Sequence, residues 1–477
     1  DVNVWMTGHT YALGGTNFWG TGRAGSAVLG NLNLDIENSI LNNLITVNAG
    51  TVAGSVNLNI SGSTISTLLA VIQDAGSVVS GSVNVLLENS YVGTDLRLIN
   101  TTNGNPTPLL YGDMNVKLYG TSINGQLRLG ANWASTTGSL TIAGAVMGDI
   151  NAVLGGYWDE SAQTYVKGST PTVIGTATGT ESVLMTGGRA GDVGGNTNLV
   201  IVDGTYTGSI TMGPNGGTLG TAGDAATGHT NLTIMDGTFN GNIFAGSHNY
   251  ASTGKSGVVL GNANLTVFGG TFNGDIYVGV KPRAGLEILL YQNKIMGDAV
   301  ATFTGNLSNI TFNGTRVYAG EAEGDTVLRF AEASGNFGAE VSGFDIVSVD
   351  SDSAVAAGGN IQTQTLQFFA DSVSTYGTLE MLGTATLSVG AIEVWLADGF
   401  SAQENDQLFL VEVSGTGVLQ DTAVSLYNAD GSAYAGLWRY DNDGSSLVIT
   451  FLDIPENSLS AALLGLAAFL AVTRRRV

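Results

Sequence analysis

The chain has 477 residues, 70 glycines, no cysteine and a formal net charge of −23. The absence of cysteine excludes disulfides, thiolate metal sites and a cysteine nucleophile. The negative charge argues against nucleic acid or an anionic lipid surface as a partner. Helical periodicity is almost absent before the C-terminal tail, so the Gly-, Val-, Thr-, Asn- and Ser-rich composition predicts short β-strands separated by tight turns.

The N-terminal segment VNVWMTG predicts a strand that begins in the middle of a repeat, because it aligns with SVLMTGG at 182–188. Since Asp1 is not an initiator methionine, we expect a signal peptide to have been removed. An unpaired first strand would offer its edge to a second copy and give head-to-tail filaments by β-strand addition. The alternative is that Trp5, Phe18 and Trp19 cover this end. The residues of this candidate assembly edge are Val2, Val4, Trp5 and Met6.

A sixteen-residue motif is repeated three times between 198 and 279, with evenly spaced starts at Asn198, Asn231 and Asn264. The copies read NLVIVDGTYTGSITMG, NLTIMDGTFNGNIFAG and NLTVFGGTFNGDIYVG. Apolar residues at positions 2, 4, 9, 13 and 15 and glycines at 7, 11 and 16 predict a strand, a turn and a strand. Weaker or truncated copies begin at Asn33, Asn57, Asn84, Asn115, Ser139 and Asn309. Such a unit cannot bury its apolar face alone, so stacking of units is expected.

The unit length decides the architecture. Units of about 24–33 residues with equivalent strands one period apart favour parallel pairing between successive coils. A β-propeller is the lesser alternative, because its blades need about 40 residues and four strands. We predict an all-β fold: an elongated right-handed parallel β-solenoid (β-helix) with a C-terminal β-rich cap and a short C-terminal hydrophobic helix. The predicted domains are 1–320 (repeat solenoid), 321–390 (irregular acidic coils), 391–453 (β-rich cap) and 454–477 (sorting or anchor segment).

Two motif positions carry recurring side chains. Asparagine stands at position 1, where its amides are expected to hydrogen-bond from coil to coil as a ladder, which is favoured over ligand binding. Position 9 carries Tyr206, Phe239 and Phe272. We predict that these rings form a core stack; they would be a carbohydrate platform only if they were exposed.

The chain has few basic residues that could serve as a catalytic base. Arg97 and Arg128 share motif position 14 and are expected to stack on an outward face. A polysaccharide lyase of this fold would need an arginine or lysine base beside carboxylates that hold calcium, and a glycosidase would need paired carboxylates. An exposed surface pair of arginines is the favoured interpretation, so we predict no catalytic residues.

The sequence also gives little support for a metal-binding site. Asp203 and Asp236 lie in Asp-Gly turns, where a turn role is favoured over a ligand role. His229 and His248 lie in connectors of adjacent coils and would meet at one edge, but two histidines without a third ligand make an incomplete site. We therefore predict no cofactor-binding or metal-binding residues, with calcium held by clustered carboxylates as the open alternative.

The region after Gly320 differs in charge. Residues 321–457 hold 21 of the 39 carboxylates, and Arg329 and Arg439 are the only basic residues among them. Alternation continues, which predicts further coils and then a β-rich cap containing Trp395, Trp438 and Tyr440. A cap is expected because an open solenoid end is an unpaired sheet edge that promotes aggregation.

The C-terminal tail, IPENSLSAALLGLAAFLAVTRRRV, has three parts: a break at Pro455, an apolar run from Leu459 to Val472, and three arginines. A helix over the apolar run would span roughly 22 Å at 1.5 Å per residue, short of the usual ~30 Å hydrocarbon core. It therefore predicts a marginal membrane anchor or a processed signal, with the arginines on the cytoplasmic side. The alternative is a buried helix that caps the solenoid.

These residues resemble a PEP-CTERM-type sorting signal, which consists of a Pro-Glu-Pro motif, a hydrophobic helix and a terminal basic cluster. Asn457 stands where that pattern has its second proline. The resemblance implies export in a Gram-negative-type bacterium, sorting across the envelope and removal of the tail. The residues that would serve sorting or anchoring are Pro455, Glu456, Arg474, Arg475 and Arg476.

The rest of the chain resembles autotransporter-passenger-like β-strand repeat proteins of bacterial surfaces, in GNTNLVIVDGTYTG and GNFGAEVSGFDIVSVDSDSAV. We therefore predict a non-enzymatic, adhesin-like scaffold at the cell surface or in the extracellular matrix. The alternatives are a self-assembling filament subunit and a polysaccharide-active β-helix enzyme. The expected partners are the chain itself or extracellular polysaccharide, with membrane contact only through the tail before processing.

Overall fold

The computed structural model describes a large part of the chain, and it is nearly all β. Its only helical element within the described residues is the short 3-10 helix Leu307–Asn309. The C-terminal tail, with its predicted helix, lies outside the described residues. The described residues are 1–11, 18–19, 26–42, 45–48, 50–73, 77–100, 109–132, 145–175, 181–185, 192–214, 218–219, 228–248, 258–281, 294–415, 419 and 422–452.

Each repeat unit before residue 320 contributes up to four strands, which we name by their order in the unit. The first-position strands are Val2–Thr7, Leu32–Glu37, Val56–Ser61, Val83–Glu88, Met114–Tyr119, Ile150–Leu154, Thr197–Ile201, Thr230–Ile234, Ala263–Val267 and Ala299–Asn306. The second-position strands are Thr10–Tyr11, Ile40–Leu41, Thr64–Ile65, Tyr91–Val92, Ser122–Ile123, Val173–Ile174, Thr205–Tyr206, Thr238–Phe239, Gly270–Phe272 and Ile310–Phe312.

The other two positions follow in each unit. The third-position strands are Phe18–Trp19, Ile45–Asn48, Leu69–Gln73, Leu96–Asn100, Leu127–Asn132, Glu181–Leu184, Ser209–Thr211, Ile243–Phe244, Ile276–Tyr277 and Arg316–Tyr318. The fourth-position strands are Ala27–Val28, Thr51–Val52, Val78–Val79, Leu109–Leu110, Ala145–Val146, Asp192–Val193, Thr218–Leu219, Val258–Val259 and Lys294–Ile295.

Equivalent strands of successive units pair in parallel and in register. Leu199 pairs with Leu232, and Leu232 pairs with Leu265, so each motif position stacks on itself. All three leucines are buried, whereas their neighbours along the strand are half-exposed, because strand side chains alternate between the two faces. First- and third-position strands share one large sheet, and the second- and fourth-position strands each form a sheet of their own. This arrangement is consistent with a β-solenoid.

A tight corner joins the first and second strands in most of the described units. The corner residue adopts a positive φ, 68° at Gly8, 48° at Asn38 and 48° at Asn89. Glycine and asparagine are the residues that adopt this left-handed conformation most readily. Buried serines follow the corner and continue the stacking, since the Ser39 backbone N–H donates to Ser63 Oγ at 3.0 Å.

Parallel pairing continues beyond Gly320, at first with a shorter spacing. Val327 pairs with Ile346, and Ile346 pairs with Thr365, 19 residues further along each time. The strands here are longer, and one strand can pair with strands of two different stacks. Thr326–Phe337, for example, pairs with Ala299–Asn306 and also with Ala354–Ala357. The strands here are Thr326–Phe337, Glu340–Val349, Ala354–Ala357, Ile361–Ser372, Thr375–Tyr376, Thr378–Gly383, Leu387–Leu396, Gln407–Gly415, Ala423–Asn428, Trp438–Asn442 and Ser446–Phe451.

Antiparallel pairing appears at the end of the described chain. Ser446–Phe451 pairs antiparallel with Gln407–Gly415 on one side and with Trp438–Asn442 on the other. Trp395 packs against Tyr427, with ring centroids 5.1 Å apart. The region is thus rich in β-structure, as a cap requires, while the predicted domain boundaries remain predictions.

Candidate functional site

The predicted asparagine ladder is present and runs without a break from Asn3 to Asn264. Each side-chain amide donates to the carbonyl oxygen of the asparagine one unit earlier, at 2.6 to 3.0 Å. The rungs are Asn3, Asn33, Asn57, Asn84, Asn115, Asn151, Asn198, Asn231 and Asn264. Sequence reasoning missed Asn3 and Asn151, because the residues around them depart from the motif. Aligning strands by alternation alone would have found both.

A groove follows the outward face of this ladder over the first five units. Its volume is 810 Å³. One row of its lining is the asparagine ladder, and a parallel row lies two residues further along each strand, on the same face. The lining residues are Asn3, Asn33, Asp35, Asn57, Leu58, Asn59, Asn84, Val85, Leu86, Asn115 and Lys117.

The groove keeps hydrogen-bonding capacity. A carboxamide has two N–H donors and two acceptor lone pairs, and a ladder rung uses one of each. The second row changes in chemistry from unit to unit: its register-aligned residues are Asp35, Asn59, Leu86 and Lys117. The carboxylate and the ammonium at its two ends have opposite charge. The groove is therefore a nearly neutral surface with free hydrogen-bonding groups on a strongly acidic protein.

A hairpin, Gly156–Asp159 paired with Thr164–Lys167, is inserted after the first-position strand Ile150–Leu154. Its Tyr157 ring lies 5.5 Å from the ring of Tyr119, which ends the groove's last strand. Burial and the Glu88 carboxylate raise the pKa of Tyr119 to about 12, so its hydroxyl stays protonated. Tyr157 itself is 39% exposed. The hairpin thus adds an accessible aromatic ring beside the groove.

Lys167 ties the hairpin to later units. Its Nζ lies 2.5 Å from Asp236 Oδ2 and 3.4 Å from Asp203 Oδ2, and the hydrogen bond to Asp236 is the main reason that the pKa of Lys167 is raised. The other carboxylate oxygen of each aspartate accepts the N–H of the following glycine, at 2.7 Å for Asp203 and 2.8 Å for Asp236. The predicted turn role of these aspartates is confirmed, and their second role is to hold a lysine.

His229 belongs to a second ladder, which precedes the first-position strands. Its backbone N–H donates to Asn196 Oδ1, and its Nδ1 accepts the N–H of Asn262, both at 2.8 Å. The equivalent side-chain acceptors in other units are Asp1, Asn31, Ser55, Ser82, Asp113, Asp149, Asn262 and Asp298. An imidazole nitrogen that accepts this hydrogen bond is not free to bind a metal. His229 is therefore a structural residue.

His248 lies in a different environment. Its ring stacks on Phe244 with centroids 4.2 Å apart, and Phe244 in turn stacks on Tyr277 at 5.2 Å. Lys281 Nζ lies 4.5 Å from the Tyr277 ring centroid. Burial, reinforced by the Lys281 charge, lowers the pKa of His248 to about 4. The two histidines thus make separate contacts, and no group of three or more metal-ligating side chains occurs in the described part of the chain.

The position 9 rings form the predicted core stack. Tyr206 stacks on Phe239 with centroids 5.3 Å apart, and Phe239 stacks on Phe272 at 5.0 Å. All three side chains are buried. They contribute to stability, and a carbohydrate platform at this position is ruled out by their burial.

The two arginines considered for catalysis lie side by side, but each is bound to a neighbouring side chain. Arg97 and Arg128 are aligned in register, as predicted. Each binds a residue on its own strand or just before it: Arg97 pairs with Asp95 at 2.7 Å, and Arg128 donates to Gln126 Oε1 at 2.6 Å.

A groove that sequence reasoning missed lies in the acidic region, with a volume of 590 Å³. Glu380 and Glu412 are aligned on its floor. Its lining residues are Tyr376, Thr378, Leu379, Glu380, Phe409, Leu410, Val411, Glu412, Val413, Ser445 and Ser446. No arginine or lysine is among these residues, so the combination of a base with calcium-holding carboxylates is not assembled there. An outward pair of glutamates on strands from different coils gave no signal in the sequence.

The candidate assembly edge has an exposed and a covered side. Trp5, on the outward face, is 70% exposed, whereas Val4 and Met6 on the opposite face pack against the core. Val2 shares the inward face but is 38% exposed at the start of the strand. Within the described residues, the strand Val2–Thr7 pairs with Leu32–Glu37. Assembly through Val2, Val4, Trp5 and Met6 stays a prediction. The sorting residues Pro455, Glu456, Arg474, Arg475 and Arg476 lie outside the described residues.

Comparison with known proteins adds no relative: no protein-family model matches the chain, and no curated protein matches its sequence significantly. Among the residues that the structure describes, no helix reaches the length and apolar character that a bilayer crossing requires.

Proposed function

We propose that this chain is a non-enzymatic, exported bacterial surface protein, in which a right-handed parallel β-solenoid serves as an adhesin-like scaffold rod. The observation that carries this proposal is the unbroken asparagine ladder from Asn3 to Asn264. A ladder of this length requires an asparagine at the same strand position in every unit. Such regular stacking of units is what builds a rod.

The contacts of the charged and titratable side chains support a scaffold over an enzyme. In the described residues, two cations outside the groove have structural roles: Lys167 holds two turns, and Arg97 binds Asp95. Catalytic acids and bases usually have shifted pKa values that match their task. The pronounced pKa shifts here belong to Tyr119, Tyr206 and His248, which pack against aromatic rings. A further shift lowers the pKa of Asp443, whose carboxylate accepts hydrogen bonds from two serines in a turn.

Export and surface location rest on the C-terminal sequence, in which a proline break, an apolar run and three arginines follow one another. Expression of the full chain behind a cleavable secretion signal in a Gram-negative host tests this part. The tail should be removed, and the remaining chain should be digested when intact cells are treated with protease. Substitution of Arg474, Arg475 and Arg476 by serine should trap the chain inside. Retention of the unsubstituted chain in the cytoplasm would contradict the proposal.

Negative-stain microscopy of the purified chain distinguishes the scaffold from the alternative filament. The scaffold proposal predicts single short rods, because the acidic surface opposes self-association. Fibres longer than one chain, abolished by Trp5→Lys at the exposed edge, would favour head-to-tail assembly instead. Release of reducing ends from any polysaccharide by the purified chain would favour the enzyme.

A further inference from the structure

The groove along the asparagine ladder has the chemistry of a binding site for a repeating, polyhydroxylated ligand. Its amides recur once per coil, at the spacing of about 4.7–4.9 Å between neighbouring strands. Five rungs therefore line roughly 20 Å of groove. Each rung retains a donor and an acceptor beyond its ladder bonds, and a hydroxyl group can satisfy both.

Charge decides which polymers fit. The chain carries a formal net charge of −23, which repels anionic polymers. Within the groove, Asp35 and Lys117 contribute one negative and one positive charge, and the residues between them, Asn59 and Leu86, are neutral. A surface of this kind selects neither an acidic nor a basic ligand. The complementary occupant is an uncharged one.

Apolar contacts suit the same occupant. Leu86 stands in the middle of the second row and is half-exposed. Tyr157 of the hairpin is 39% exposed and packs against Tyr119, which lies two residues beyond Lys117 on the same face of its strand. A sugar ring has hydroxyls at its rim and C–H groups on its faces. Amides can bind the rim, while leucine and tyrosine pack on the faces.

We propose that this groove binds a linear, uncharged glycan that lies along the solenoid axis, with successive sugar rings over successive asparagine rungs and one end beside Tyr157. The inference rests on the proposed function and names the partner of the scaffold. The occupant is not a peptide strand, because the groove lies on a sheet face whose backbone groups are already paired. It differs from the buried position 9 stack, which no ligand reaches.

The experiment measures binding of cellohexaose, xylohexaose, mannohexaose and laminarihexaose to the purified chain by calorimetry. At least one of them should bind, and a polygalacturonate hexamer should not. The double variant Asn59→Ala/Lys117→Ala removes groove contacts without touching the ladder, and Tyr157→Ala removes the ring. Each should weaken binding about tenfold or more, the size expected for losing one or two hydrogen bonds or a ring contact.

The matched control is Thr233→Ala/Thr266→Ala, which changes the same second row in later units, outside the groove. Its affinity should equal that of the unsubstituted chain. The inference is overturned if none of the neutral hexamers binds, if polygalacturonate binds best, or if the groove variants and the control bind equally. The rod is tested separately by distances between introduced labels, so a correct rod without glycan binding would sink this inference alone.

Discussion

The repeat region before residue 320 and the acidic region after it use the same strand stack in two ways. The first-position strands continue from one into the other, and the rung after Asn264 is Val300. Valine, isoleucine, threonine and alanine occupy that position from there on, at Val300, Val327, Ile346, Thr365, Ala391 and Ala423. The backbone register therefore persists after the polar ladder has ended.

Aromatic packing changes at the same point. Phe239 and Phe272 lie almost parallel, with an angle of 14° between their ring planes. Phe330 and Phe337 meet edge to face, at 82° and 5.0 Å. In-register pairing of equivalent strands places identical side chains on top of one another, which gives stacks and ladders. Where the spacing drops to 19 residues, the rings no longer share one position, and they form a cluster instead.

Removal of one ring from the core stack should destabilise the chain more than any other substitution considered below. Phe239→Ala should lower the free energy of unfolding by about 3–5 kcal/mol, because it removes a fully buried aromatic side chain and leaves a cavity. Urea unfolding followed by circular dichroism measures the change. The matched control is Phe268→Ala, whose ring is 38% exposed and whose loss should cost at most about 0.5 kcal/mol. Equal losses for the two variants would contradict the assignment of Phe239 to the core.

The ladder itself is tested by Asn231→Asp. The carboxylate cannot donate to Asn198 Oδ1, so two oxygens would face each other across the rung. The expected cost is about 1–3 kcal/mol. Thr233→Ala, on the same strand and outward face, should cost at most about 0.5 kcal/mol. A ladder that makes no contribution would give the same unfolding midpoint for both variants.

In the repeat region, a pH-dependent contribution to stability is expected from His248. Its pKa falls from 6.5 to about 4 on folding, because the ring is buried near Lys281. Between these values the unfolded chain binds a proton that the folded chain does not, so stability should decrease as the pH falls through this window. The loss is complete below the folded-state pKa.

The measurement is the unfolding midpoint as a function of pH for His248→Gln, which should decrease less across this window than that of the unsubstituted chain. Thr233→Ala adds no titratable group and should keep the original slope. If His248→Gln also keeps the original slope, the histidine is not the source of the pH dependence.

Extending the ladder by one rung into the acidic region should have a small stabilising effect. Val300→Asn places an amide directly after Asn264, in register and on a half-exposed position. A new hydrogen bond of this kind should add about 0.5–1.5 kcal/mol of stability. Val300→Ala controls for loss of the valine side chain. A decrease with asparagine equal to that with alanine would show that the ladder cannot continue past Asn264.

How much the sequence revealed depends on which side chains face inward. The period from Asn198 to Asn264 predicted strand register and the buried stack of Tyr206 and Phe239, because burial restricts the inward residues and leaves a periodic signal. The groove was not predictable, since its second row changes from Asp35 to Lys117 with no shared chemistry. The hairpin that ends at Lys167 interrupts the motif and pairs with aspartates far along the chain.

If each unit adds one strand spacing to a rod, the distance between two labels must grow with the number of units between them. The chain has no cysteine, so pairs of introduced cysteines can carry spin labels without competition. Asn59→Cys/Thr266→Cys spans six steps in the second row and should give about 29 Å, while Asp35→Cys/Thr302→Cys spans eight and should give about 38 Å. Distances that grow in this proportion are the predicted result in pulsed electron paramagnetic resonance. A second pair no further apart than the first would contradict the rod.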